Sequence, residues 1–146
     1  MSSEQIHGTC ISIDGKGILL RGGSGAGKSD LALRLISAGA VLVGDDRVDV
    51  SFKNGALIAS PPAALAGKLE VRGVGIVPQP FEENAPLLAV IDLVPPERVE
   101  RMPEPEMVEI LGVPLPLWRF APFESSAVEK VILASKIAAG FIIAES

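Results

Sequence analysis

The chain of 146 residues holds one cysteine, one histidine and one tryptophan, and aromatic residues make up only 4% of it. A single thiol, Cys10, excludes an internal disulfide and a multi-cysteine zinc site; its apolar neighbours fit a buried thiol. Positive charge is also short, with 13 Lys and Arg against 18 Asp and Glu and a net charge of -5. A nucleic-acid groove or an anionic membrane surface calls for the opposite balance. No apolar run approaches the ~20 residues that cross a bilayer, and no charged segment leads into an apolar one as in a signal peptide. A cytoplasmic chain with no membrane or nucleic-acid partner is therefore expected. What the chain does have is apolar mass, 48% of its residues. At this length one domain over 1–146 is expected, burying roughly two-thirds of its unfolded surface without covalent help.

The stretch Gly22-Gly23-Ser24-Gly25-Ala26-Gly27-Lys28-Ser29 fits G-x-x-x-x-G-K-[ST]. The apolar run Ile18-Leu19-Leu20 precedes it and a helical pattern over Ser29 to Ala38 follows, ended by Gly39. Strand, loop and helix in that order make a phosphate cradle. Glycines let several N–H groups converge on one anion, and the helix adds its positive N-terminal end. Lys28 would neutralise the outer phosphates of a nucleotide, and the Ser29 hydroxyl would ligate their Mg²⁺. A glycine-rich hairpin turn is the bland alternative.

Ile6 to Ile13 reads as a strand beginning near His7, joined by Asp14-Gly15-Lys16-Gly17 in a hairpin to the strand that ends at the loop. A lone histidine is commonly a surface or packed residue, but this hairpin could bring His7 to the loop. Ala40 to Val43 reads as a buried strand ending at Gly44-Asp45-Asp46. Those aspartates are either solvated turn residues or a pair facing the phosphates, one near the metal ion and one available as a base. Arg47 to Phe52 and Ala56 to Ala59 form a hairpin about Asn54-Gly55, followed by a helical turn near Ala63. Lys68 to Val77 reads as a short strand with Glu70 and Arg72 two apart, hence on one face; they look into a site or form a solvated ion pair. Gln79 to Ala85 is expected to be a mobile connection and Leu87 to Val94 a core strand. A charged, proline-punctuated loop with Arg98 and Arg101 leads to a hairpin over 107–120, with Trp118 and Phe120 on one face. Last comes a helix from Pro122 to Ala139, its apolar side built on Val128, Ile132, Leu133 and Ile137. An apolar tail, Phe141 to Ala144, remains to pack on a neighbour or another subunit.

Four segments together resemble one family. They are Ile6-His7-Gly8, Gly22 to Ser29, Leu42-Val43-Gly44-Asp45-Asp46, and Leu69-Glu70-Val71-Arg72-Gly73-Val74-Gly75-Ile76-Val77. The last is similar to the signature E-[IV]-R-G-x-G-[IL]-[IV] of the bacterial HPr kinase/phosphorylases, which phosphorylate a serine on the phosphocarrier HPr and can remove that phosphate. The resemblance implies that His7 is the active-site histidine, Lys28 the loop lysine, and Ser29 and Glu70 the holders of Mg²⁺. It implies that Asp46, with Asp45 beside it, takes the serine proton in the kinase direction and serves as acid when phosphate attacks phosphoserine. An arginine of a later charged loop matches Arg101 best, with Arg98 as rival, and Arg72 or Arg101 would steady the transferred group. The implied fold is an α/β (α+β) mixed sheet of the phosphate-loop, phosphoenolpyruvate carboxykinase-like kind rather than the doubly wound one. The usual assembly of the family is a hexamer.

Two departures accompany the resemblance. The motif histidine is already residue 7, which resembles the short alphaproteobacterial forms with a catalytic domain alone and no N-terminal regulatory domain. The family's late P-[VI]-x-P-G-R motif, tied to dephosphorylation, is replaced by Pro116-Leu117-Trp118-Arg119-Phe120-Ala121-Pro122. The expected reaction is transfer from ATP, with pyrophosphate as alternative donor, to a carrier-protein serine. The rivals are a small-metabolite kinase, which would need a base-recognition pocket and an arginine-rich lid, and a nucleotide-binding regulatory module without turnover.

Overall fold

Gly8 divides the first apolar run. The structure, a computed structural model describing residues 3–145, has strands β1 (Ser3–His7) and β2 (Thr9–Ile13) where one strand from Ile6 is expected. A Cβ on Gly8 would sit 2.8 Å from the Leu20 carbonyl oxygen, so only glycine lets the chain cross the end of the next strand this closely. His7 therefore ends a strand instead of beginning one. After β3 (Lys16–Arg21) and helix α1 (Lys28–Ser37) come β4 (Val41–Gly44), β5 (Arg47–Lys53) and β6 (Ala56–Ser60). The signature segment is a hairpin, β7 (Lys68–Val71) with β8 (Gly75–Pro78), rather than one strand. Then follow β9 (Ala85–Leu93), β10 (Glu106–Ile110), β11 (Val113–Phe120) and helix α2 (Ala127–Ala138).

Among the described residues, nine strands form one mixed sheet in the order β1-β5-β6-β9-β3-β2-β4, with β11 also on β9 and β10 on β11. The long β9 is its branch point. Its first residues pair antiparallel with β6 and its last parallel with β11, while β3 lies parallel along the other edge. Three parallel strands thus end together, and the crevice outside such carboxyl ends is where open α/β sheets take ligands.

Side chains on the two faces build two cores. Ile11, Ile18 and Leu20 pack with Leu31 and Leu35 of α1 and Val131 of α2, whereas Cys10, Leu19 and Val90 pack with Val48, Val50 and Leu115. Burial on both faces accounts for the unbroken Ile18-Leu19-Leu20 run. Each fully buried leucine is worth roughly 1.5–3 kcal/mol. The β3–β9 register slips between Gly17 and Ile18, whose partners are Leu87 and Ala89. That bulge at Leu88 reverses the alternation, so Leu87 joins one core and Ala89 the other.

Two other expectations change. The segment 79–84 is anchored, not mobile: the Gln79 N–H donates to Gly67 O, the Glu82 N–H to Leu42 O, and the Ser12 hydroxyl to the Glu82 carboxylate. Helix α2 begins at Ala127, since Pro122 to Ser126 are spent in turns, and it buries Ala127, Val131, Ala134 and Ser135 while Leu133 is exposed.

Candidate active site

The glycine-rich loop leaves β3 at Arg21 and enters α1 at Lys28. Gly27 caps the helix at φ 98 with no side-chain hydrogen bond to the first-turn amides, and the Leu31 N–H is the donor that reaches Gly27 O. The amides of Lys28, Ser29 and Asp30 therefore remain for an anion at the positive helix end. The Lys28 ammonium spans the loop, donating to Gly22 O at 2.8 Å and Gly23 O at 3.0 Å. An ammonium has three N–H groups, so its charge stays available at the loop mouth. Arg21, at the loop's root, is held by Asp92 at the end of β9, with Nε 2.7 Å from Oδ1.

Asp45 is where the separate segments meet. It is only 6% exposed and accepts three hydrogen bonds: from the fully buried Thr9 hydroxyl at 2.9 Å, from the Ser29 hydroxyl at 2.8 Å, and from the Glu70 N–H at 2.9 Å. A buried carboxylate needs such donors, since removal from water without partners costs far more than one hydrogen bond returns. The contact with Ser29 also fixes a direction. Because the Ser29 O–H donates to Asp45, its oxygen lone pairs face elsewhere, free to ligate a cation at the phosphates.

Asp46 does the opposite. Its side chain is 67% exposed and φ is 68, so the left-handed turn throws the carboxylate outward, where its nearest cation is Arg47 at 3.9 Å. His7 pairs with Arg47 across β1 and β5, and the Gly8 N–H donates to Asp46 O at 3.1 Å. The histidine reaches the site through β5, across from the aspartate turn, rather than through the hairpin into the loop.

Glu70 is exposed on β7, and its backbone ties the signature hairpin to Asp45. Arg72 lies in the turn after β7, so the argument that it shares a strand face with Glu70 fails. Arg98 closes the short 3-10 turn Pro96–Arg98. Arg98 and Arg101 are exposed, and among the described residues no hydrogen bond or ion pair joins Arg72 or Arg101 to the loop. Sequence reasoning missed Thr9, Asp92 and Phe123. The last lies against Gly27, its ring 2.8 Å from where a Cβ would stand. Asp92 had a signal, an acid amid an apolar strand; Thr9 and Phe123 had none.

The Ser29 hydroxyl and the Asp45 carboxylate meet directly, and Glu70 joins them through its backbone N–H; oxygen groups of this kind suit Mg²⁺, which keeps most of its shell for water and phosphate. Among the described residues no three His, Cys, Asp or Glu cluster into a cage of their own. No helix among them is long and apolar enough to cross a membrane.

A family model described as HPr Serine kinase C-terminal domain matches residues 1–81. The HPr kinase/phosphorylase of Clostridium botulinum (strain Eklund 17B / Type B) is 48% identical over 73 residues, 50% of this chain and 24% of that protein. The same-named protein of Streptococcus thermophilus (strain LMD-9) is 49% identical over 73 residues, 49% of this chain and 24% of its own length. The chain thus spans about a quarter of the length of the curated relatives it matches. A solved Hpr(Ser) kinase/phosphatase from Coxiella burnetii superposes with a TM-score of 0.83 at 27% identity, covering 94% of this chain and 99% of that one.

Proposed function

Because the chain belongs to the HPr Serine kinase C-terminal domain family, we propose that it transfers the γ-phosphoryl group of ATP to a serine of an HPr-type carrier protein. The observation that carries this reading is the convergence of four segments on Asp45: the strand after His7, the phosphate loop at Ser29, the aspartate turn itself, and the signature hairpin at Glu70. The loop and this mixed sheet support a nucleotide-domain fold of the phosphoenolpyruvate carboxykinase kind. The amides of residues 28–30 and the Lys28 ammonium bind and orient the outer phosphates. Ser29 and Glu70, with Asp45 behind, would hold Mg²⁺, which supplies neutralisation of charge on the phosphates.

The two aspartates divide the work. Asp45, occupied by three donors, positions; Asp46, exposed, takes the proton as the serine oxygen bonds to the γ-phosphorus and the bond to the β,γ-bridging oxygen breaks, leaving ADP. His7, across from the Asp46 turn, lines the approach of the serine, and Arg72 or Arg101 is offered to the transferred group. Pyrophosphate is the alternative donor, since the loop contacts reach only phosphates. The exposed tail residues Phe141 and Ile143 are consistent with a homo-oligomer, the hexamer of the resemblance.

The test is labelled ATP with an HPr-type protein and mapping of the labelled residue. Lys28→Ala and Asp46→Asn should each lower transfer by about two to three orders of magnitude with an unchanged circular dichroism spectrum. Full activity in either variant, or label on a residue other than serine, would sink the assignment.

A further inference from the structure

A pocket of about 400 Å³ opens beside the glycine-rich loop, lined by Gly25, Ala26, Val94, Pro95, Pro122 and Phe123. Its volume is that of a small-molecule site, commonly roughly 300–1,000 Å³. Two of its lining residues belong to the phosphate loop itself, so whatever sits in it is within reach of an anion bound to that loop.

The walls are apolar and poor in donors. Prolines have no N–H, the Val94 N–H is consumed by Phe120 O at 3.0 Å, and the Glu124 carboxylate at the rim is engaged by Lys130 at 3.0 Å. Phe123 is 69% exposed, so its ring adds little to either core. It is nonetheless fixed in place. The preceding carbonyl, Pro122 O, accepts a hydrogen bond from the Arg34 guanidinium of α1, the helix whose first turn ends the loop, and the ring lies against Gly27. An exposed aromatic ring, held at the loop by the loop's own helix and facing donor-poor walls, is suited to a flat partner that is bound by its face.

We infer that this pocket takes the nucleobase of the phosphoryl donor, with Phe123 as its stacking surface, and that it binds purines with little discrimination between them. The inference rests on the nucleotide reading of the loop and adds where the base lies and how it is read. Few edge-on donors or acceptors face the pocket, so adenine and guanine present nearly the same flat surface to it.

Isothermal titration with Mg²⁺ and ATP, GTP or inorganic tripolyphosphate on the whole chain and on Phe123→Ala and Phe123→Trp tests this. Phe123→Ala should weaken ATP and GTP alike by about tenfold, the usual scale of one base on one ring, and leave tripolyphosphate within about twofold. Phe123→Trp should retain wild-type affinity for both nucleotides. Equal weakening of ATP and tripolyphosphate by Phe123→Ala would overturn the inference, since the ring would then act only through Gly27. So would ATP binding to the wild type no tighter than tripolyphosphate, or a preference for one purine above about tenfold. Loss of label transfer to HPr-type proteins with Phe123-dependent ATP binding intact would overturn the kinase proposal alone.

Discussion

Asp45 offers a quantitative test because two substitutions at it separate charge from hydrogen bonding. Replacing it with alanine removes the acceptor for Thr9, Ser29 and the Glu70 N–H together. The Ser29 hydroxyl can turn to water, but the Thr9 hydroxyl is fully buried and the Glu70 N–H partly so. Two stranded donors at about 1–3 kcal/mol each place the loss at about 2–6 kcal/mol. Against a total stability of about 5–15 kcal/mol that is severe, and for a chain of this size, at about 3 °C per kcal/mol, it lowers Tm by roughly 6–18 °C. Asparagine behaves differently. With its amide NH₂ turned toward the two hydroxyls, which can accept as well as donate, its oxygen still accepts from the Glu70 N–H. Three contacts survive and only charge assistance is lost, about 1–2 kcal/mol. Urea melts followed by circular dichroism should therefore order the proteins wild type, Asp45→Asn, Asp45→Ala, with similar m-values. Equal stability of the two variants, or Asp45→Ala within about 1 kcal/mol of wild type, would refute the hub role derived from these contacts.

Gly27→Ala should be damaging on two counts: its φ is 98, costing an alanine about 1–2 kcal/mol, and the new Cβ would stand 2.8 Å from the Phe123 ring. A lowered urea midpoint together with weaker ATP binding is expected, and wild-type values for both would contradict the geometry. Cys10 is fully buried, and desolvation pushes its thiol up to about 12. Thiolate is the reactive form, so at pH 8 alkylation by iodoacetamide should run at least about a hundredfold slower in the native protein than in urea. Equal rates would mean that the β2 core is open.

The loop was legible because everything it needs is contiguous. Glycines, lysine, serine and the helix that follows act within one turn of one another. The hairpins about Asn54-Gly55 and Leu111-Gly112 were legible for the same reason, both residues of each turn having positive φ. The signature segment was read too simply. Its glycines and Arg72 form a turn, so two-residue spacing carried no information about a shared face. The start of α2 was misplaced because Pro122, a good first helical residue by type, is instead held by Arg34 of α1. The apolar face assigned to α2 was shifted likewise: the packing of α2 on the sheet leaves Leu133 exposed, which a period alone does not decide.

The sequence by itself determined that a phosphate-binding loop joins a buried strand to a helix, and the resemblance set His7, the Asp45-Asp46 pair and Glu70 beside it as expectations. Which aspartate is enclosed and which is exposed was decided by tertiary structure. The contacts that bury Asp45 span 36, 16 and 25 positions, and the one that sets Phe123 beside the loop spans 88. Local patterns follow from hydrogen bonds and sterics between near neighbours in the chain. Burial, and with it the contrast between an enclosed carboxylate at Asp45 and an exposed one at Asp46, follows from which distant donors the packed sheet brings to one carboxylate.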